Sequence, residues 1–274
     1  MRLTESGYRF VVSVMGFILA VAAFGQGLAE SDAEVEACLT DGKILKGAED
    51  LVGITRPVKV EVECDGGKRE AVFKNLDQHK RGSTRLESGE VEFNFSDSFR
   101  YERAAYLLDR ELGLDMVPVA VLGKRKGSDG VLVDWIPNTV HENKVTTAFT
   151  GPQMASQFRQ KSRMHLFDSL IYNIDRRPEN ILVEESTGEI FLIDHSRAFR
   201  EKKELRQEFA EGRVWLSRDF YDNLVALTAE SLAELKDGLI SKAQLEALLA
   251  RRDLIVAKID ADRQEYGDEA VFME

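Results

Sequence analysis

The chain has 274 residues, of which 43% are hydrophobic and 31% charged, with only 5 prolines. That length and balance suit one large domain or two small lobes. They exclude a disordered chain, a collagen and a disulfide-dense miniprotein. A formal charge of −11 argues against general nucleic-acid binding, which needs a basic surface.

Residues 1–29 read differently from the rest. Arg2 and Arg9 precede an apolar run from Phe10 to Phe24, and the small residues Gly27 and Ala29 follow before Glu30. This is the order of a secretory signal, and the run falls short of the roughly 20 residues of a stable span. A cleaved signal is expected, with an uncleaved N-terminal anchor as the alternative. Either sends the remainder across the cytoplasmic membrane, to a periplasmic or extracellular location, because the cationic flank stays inside. A membrane partner is expected only in the uncleaved case. Cys38 and Cys64 are the two cysteines. An oxidising compartment permits a disulfide between them, and a pair of free buried thiols is an equal alternative. Two cysteines and four histidines without ligand spacing predict no zinc site.

Along the chain, Pro57 to Asn75 predicts a β-hairpin. Val58, Val60 and Val62 alternate with charged residues, and Asp65-Gly66-Gly67 supplies the turn. Residues 76–97 are polar and predict an irregular segment. A helix is predicted from about Ser98 to Leu112, with Tyr101, Ala104, Ala105, Leu108 and Leu112 on one face and Gly113 as its stop. Val117–Leu122 and Gly130–Trp135 predict two strands joined by the charged turn Lys124–Asp129. Beyond Pro137 the pattern becomes helical, over 152–172, 217–227 and 241–260, interrupted by a short hairpin of Ile181–Val183 and Ile190–Ile193. A strand-rich first part before a mainly helical second part predicts an α+β fold of two lobes. The boundaries are 30–136 and 137–274.

The chemistry concentrates in Asn173-Ile174-Asp175-Arg176-Arg177-Pro178-Glu179-Asn180, followed by Ile193-Asp194-His195. Phosphoryl transfer from ATP needs a carboxylate to orient or deprotonate the attacking hydroxyl, and oxygen ligands to hold Mg²⁺ against the phosphates. Asp175 and Asn180 stand five residues apart, and Asp194 comes 14 residues later across a predicted hairpin. Such a hairpin turns the chain back, so that both metal ligands meet at one end. A lone Asp-x-x-x-x-Asn is common as a capped turn; the pairing with Asp194 raises it above chance.

This stretch resembles the catalytic loop and metal-binding strand of the kinase-like superfamily. It is most similar to the atypical branches: phosphatidylinositol 4-kinase type II, HipA-type kinases and the secretory-pathway kinases related to the Golgi casein kinase. The resemblance implies a two-lobed kinase-like fold, with Asp175 as the catalytic carboxylate and Asn180 and Asp194 as ligands of Mg²⁺ or Mn²⁺. It extends upstream. Ala71-Val72-Phe73-Lys74 is similar to the strand that presents the phosphate-binding lysine. Glu102, on the following helix, is its implied ion-pair partner, with Glu90 and Glu92 as competitors. Val131–Ile136 stands where the adenine hinge is expected, with Val133 and Trp135 lining the nucleotide. No G-x-G-x-x-G precedes Lys74, so the phosphate-covering loop is assigned to Gly53–Arg56, with Thr55 as its polar residue. There is no His-Arg-Asp triplet and no Ala-Pro-Glu element, which sets the chain apart from eukaryotic-type protein kinases. Arg176 is left between phosphate binding and a surface ion pair, and His195 reads as a structural hydrogen-bonder.

The function so implied is an atypical, metal-dependent kinase that transfers the γ-phosphoryl of ATP to a protein, lipid or small-molecule hydroxyl. The alternative is a kinase-shaped ligand- or partner-binding module outside the cytoplasm, without turnover. A nucleotidyl transferase on the same fold is the third reading.

Overall fold

Ser31 starts the first helix, α1 (Asp32–Asp41), through a capping box: the Glu34 N–H donates to the Ser31 hydroxyl, and the Ser31 N–H donates to the Glu34 carboxylate. Val35 and Leu39, one turn apart, bury its inner face. The computed structural model describes residues 31–45, 49–51, 57–85, 89, 91–207, 209 and 212–272. The candidate signal 1–29, the phosphate-loop candidates Gly53–Arg56 with Thr55, and Glu90 lie outside the described residues.

The valine alternation forms strand β3 (Val58–Cys64) as expected, with Val60 and Val62 buried. Its hairpin partner β4 (Gly67–Lys74) buries Ala71 and Phe73. Short strands β1 (Lys43–Ile44) and β2 (Glu49–Asp50) pair with β3 on its other side. Strands β7 (Ala120–Arg125) and β8 (Ser128–Asp134) complete an antiparallel sheet in the order β1-β3-β4-β8-β7. Lys126 and Gly127 both carry positive φ at the β7–β8 turn, which matches the twist of the strands it joins. Gly130 lets β8 approach β4 closely: a Cβ there would collide with the Lys74 carbonyl and the Phe73 ring.

The described residues of 76–97 correct the sequence reading. They are not irregular but form a separate two-stranded ribbon, β5 (Asp77–Arg85) and β6 (Val91–Ser98), with a register shift between Lys80 and Ser83. Nearly every residue of β5 is exposed, so no hydrophobic alternation marks it. Val91, Phe93 and Phe95 do alternate along β6, and that was the readable signal; yet Phe93 is 74% exposed.

Helix α2 (Arg100–Leu112) follows, and Gly113 ends it in the left-handed conformation. It packs on β7 and β8, and α1 packs on β3 and β7. The two helices are also fastened to each other. Glu36 accepts from the Tyr106 hydroxyl at 2.6 Å and pairs with Arg103 at 3.2 Å, and Asp32 pairs with Arg110. Cys38 and Cys64 are joined in a disulfide that ties α1 to the end of β3, which settles the choice the sequence left open.

The second half contains α3 (Gly151–Leu170), α4 (Arg218–Ala226), α5 (Ala233–Lys236), α6 (Lys242–Tyr266) and α7 (Asp268–Val271). A three-stranded sheet pairs β9 (Thr139–His141), which precedes α3, with β10 (Ile181–Glu184) and β11 (Glu189–Leu192), which follow it. The helix expected over 241–260 is α6, and its Leu245, Ala247, Leu248 and Ile255 are buried. On the same helix the fully buried Arg251 donates to the carbonyls of Leu170, Arg200 and Lys202. Those bonds hold the end of α3 and the stretch that follows β11. No helix among the described residues is long and apolar enough to cross a membrane.

Candidate active site

Lys74 is the last residue of β4, paired in register with Val131 of β8. Glu102 lies in the first turn of α2 and is 2% exposed. Asp194 follows β11 with a φ of 60°. The three meet. Lys74 Nζ lies 2.6 Å from Glu102 Oε1 and 3.1 Å from Asp194 Oδ1. Burial disfavours the ammonium, but Asp194 and Glu102 outweigh it and hold the Lys74 pKa above its ordinary value. Burial likewise disfavours the carboxylate, yet Lys74 and His195 keep Glu102 well below the usual carboxylate range. Both groups are therefore ionised at neutral pH. The second oxygen of Glu102 accepts the backbone N–H of His195 at 3.1 Å, with His195 Nδ1 3.4 Å away. One carboxylate on α2 thus touches both the lysine strand and the residue after Asp194.

The loop from Asn173 to Asn180 is pinned from beneath by Arg176. Its guanidinium donates to both oxygens of Asp168 at 2.9 and 3.1 Å, to the carbonyls of Asn180 and Ile193 at 2.6 and 2.8 Å, and to His195 Nε2 at 2.9 Å. These contacts use all five of its N–H groups. Arg176 is thus neither a phosphate binder nor a surface pair; it is a buried pin. Because a guanidinium cannot accept, His195 Nε2 must, which leaves its proton on Nδ1 facing Glu102. Burial lowers the His195 pKa and keeps the ring neutral.

Asn173 supports the same loop. Its side-chain amide donates to Asp168 at 3.0 Å, and its side-chain oxygen accepts the Asp175 N–H at 3.0 Å. Asn180 is buried at the end of a 3₁₀ turn, and its amide donates to the Asp175 carbonyl at 2.8 Å. The Ile193 N–H donates to the Asn180 carbonyl at 3.1 Å. With Ile181 paired to Leu192, the hairpin brings Asn180 beside the residue that precedes Asp194. The Asp175 carboxylate is half-buried and lies 3.0 Å from Arg177 Nε.

The remaining candidates stand elsewhere. Val133 is buried within β8, opposite Val72 and Ala120. Trp135 follows β8; its N–H donates to the Glu70 carbonyl at 3.2 Å and its ring is covered by Lys59 Nζ at 3.9 Å. The N–H groups of Asp134 and Trp135 are both taken by backbone carbonyls, so neither is offered to a base. Glu92 pairs with Arg197 and Arg200 rather than with Lys74. Sequence reasoning missed Asp168 and Asn173. The readable signal was an aspartate set in the apolar run Leu166-Phe167-Asp168-Ser169-Leu170-Ile171, where a charge needs a buried partner.

No family model matches the chain, and neither does any curated protein. Solved structures do. Hydra Fam20, determined with sugar, aligns with a TM-score of 0.62 at 16% identity over 89% of this chain and 93% of that one. The Golgi casein kinase aligns at 0.59 and 15% identity, over 88% of this chain and 77% of its own. The same kinase with Mn/ADP bound aligns at 0.60 and 15%, over 88% and 78%. With its strand-rich first half, helical second half and this order of elements, the chain has an α+β, two-lobed fold like that of these solved kinase structures.

Proposed function

We propose that the chain is an atypical kinase that transfers the γ-phosphoryl of ATP to an acceptor hydroxyl, with residues 30–136 and 137–274 as its two lobes. The observation that carries the reading is the buried Lys74–Glu102–Asp194 contact beside the Asn180 end of the catalytic loop. Catalysis of this reaction is positioning and charge neutralisation, and these residues are arranged for both.

The donor set suits Mg²⁺ or Mn²⁺. Asn180 spends its amide on the Asp175 carbonyl, which leaves its oxygen as the donor. Lys74 and Ser196 approach the same oxygen of Asp194, Oδ1. One carboxylate and one amide oxygen match a hard cation that completes its shell with phosphate and water. When bound there, the ion would neutralise phosphate charge. The Golgi casein kinase structure with Mn/ADP supports that pairing of ligands.

Lys74 grips the nucleotide phosphates, and Glu102 holds the lysine in place. Asp175 orients the acceptor hydroxyl and takes its proton as the acceptor oxygen bonds to the γ-phosphorus. The bond from that phosphorus to the bridging oxygen breaks, and ADP leaves with the electron pair. The disulfide agrees with the exported location that residues 1–29 predict.

The test is thermal melting of the purified chain with ATP, with and without Mg²⁺ or Mn²⁺, beside Asp194→Ala. Ligand at about 100 times its dissociation constant stabilises by about 2.7 kcal/mol. At about 2–4 °C per kcal/mol that is a rise of several degrees. A metal-dependent rise lost in Asp194→Ala supports the site. No rise with any nucleotide and metal favours the binding module without turnover. Where binding is present, the mass of a modified acceptor separates phosphoryl from nucleotidyl transfer. Asp175→Asn should then abolish transfer while sparing nucleotide binding.

A further inference from the structure

We propose that Glu92 is a positioning residue for the metal-binding segment. One carboxylate on the β5–β6 ribbon clasps two arginines and thereby fixes where Asp194 points. The inference rests on the proposed role of Asp194.

The stretch His195-Ser196-Arg197-Ala198-Phe199-Arg200 forms no helix or strand and holds a turn in which the Ala198 N–H donates to the His195 carbonyl at 2.9 Å. It is bounded by two non-glycine residues in the left-handed region, Asp194 at φ 60° and Phe199 at φ 55°. Such conformations persist only where the surroundings over-determine them. On one side the Phe199 N–H donates to the Ile171 carbonyl at 2.6 Å, and Arg251 donates to the Arg200 carbonyl at 3.0 Å. On the other side stands β6. Its Ser98 N–H donates to the Ser196 carbonyl at 2.9 Å. Glu92 Oε2 lies 2.6 Å from Arg197 Nη2, while Glu92 Oε1 pairs with Arg200 Nη2.

The two arginines have different needs. Arg197 is partly exposed and also lies against the Phe95 ring. Arg200 is 7% exposed, and burial pulls its pKa below the ordinary arginine value. Among the described residues Glu92 is the carboxylate paired with each of them. Without it, two like charges face each other and one stays buried with no counter-charge in contact. Rehydrating Arg200 requires the segment to lift from β6. Asp194 lies three residues before Arg197, so lifting moves it away from Asn180. The Lys74–Glu102 pair stands on β4 and α2, outside that segment, and its 2.6 Å contact stays in place. Glu92 therefore governs the metal-dependent part of nucleotide binding and not the part that Lys74 provides.

The test compares the purified wild-type chain with Glu92→Gln and Glu92→Asp. The probe is ADP, titrated calorimetrically with and without Mn²⁺, beside amide hydrogen exchange of the ligand-free protein. In Glu92→Gln the affinity gain supplied by Mn²⁺ should fall by about tenfold, and metal-free ADP affinity should stay within about twofold. Exchange across 194–200 should quicken by about tenfold, with 70–74 and 102–108 unchanged. Glu92→Asp should recover part of both effects. A wild-type Mn²⁺ gain with wild-type exchange in Glu92→Gln overturns the proposal. So does equal loss of metal-free and metal-dependent binding with faster exchange throughout, which marks a merely structural role. A wild-type chain with no Mn²⁺ gain overturns the kinase reading instead; the exchange rates in Glu92→Gln then decide separately whether the clasp holds the segment.

Discussion

Replacing Arg176 by Met keeps most of the side-chain volume and removes a guanidinium whose five N–H groups are all engaged. The loss falls on Asp168, a buried carboxylate that keeps only the Asn173 amide as a side-chain donor. It also falls on the carbonyls of Asn180 and Ile193, which lose a charged donor. Breaking a buried pair from one side costs about 3–5 kcal/mol. That is within the 5–15 kcal/mol of a typical domain, so the variant should remain folded at 25 °C. With a urea slope near 3 kcal/mol per M, the midpoint should fall by about 1–1.7 M. Arg176→Lys should recover less than half of the loss, because one ammonium cannot span acceptors on four residues. The assay is urea unfolding followed by circular dichroism, beside an ADP titration. A Met variant with the wild-type midpoint and lost nucleotide binding would refute the reasoning and return Arg176 to the phosphates.

Three further outcomes are expected. Reduction, or Cys38→Ser with Cys64→Ser, opens a cross-link between residues 26 apart; chain entropy puts its contribution near 3.5 kcal/mol, so the melting temperature should drop by about 7–14 °C. An unchanged melting temperature would mean that the cysteines are not joined in solution. Burial pushes the Asp109 carboxyl up to about 7, against the opposing pull of Arg110 and the Met116 and Val117 amides. Between about pH 4 and 7 the folded chain then holds a proton that the unfolded chain releases, so stability falls as pH rises through that window. Asp109→Asn should flatten the slope of urea midpoints across it, and a persistent slope would assign the effect to another group. Finally, Lys74 is held above its ordinary pKa and Glu102 below its own, so ADP affinity should be flat from pH 7 to 9. An inflection there that Lys74→Met removes would show that the lysine titrates.

The hairpin from Pro57 to Asn75 and the helix carrying Glu102 were legible because one face of each is buried, and burial imprints a period on the sequence. The ribbon of β5 and β6 was not, since solvent on both faces of β5 leaves no period to read. That Asp175, Asn180 and the strand leading to Asp194 lie side by side was legible from their spacing and the kinase-like resemblance together. Their support was not: Asp168, Asn173 and Arg176 act through bonds to main-chain carbonyls and to one another. Such bonds join residues up to 17 positions apart and have no periodic signature. Glu92 is harder still, because its partners lie 105 and more residues away on a stretch without regular structure.

The fastening of α1 has a mechanical meaning. Kinases are commonly switched by swinging the helix that bears the glutamate away from the lysine. Here that helix is clamped to α1 through Glu36 and Asp32, and α1 is covalently bound to β3, the neighbour of the lysine strand. Strand, bridge, clamp and helix close a loop of rigid links, and the gap between Lys74 and Glu102 is one side of it. Opening that gap means tearing a helix–helix interface against a covalent tether. The Cys38–Cys64 bridge is the one covalent side of that loop, and its other sides are the Glu36 and Asp32 contacts and the β3–β4 pairing.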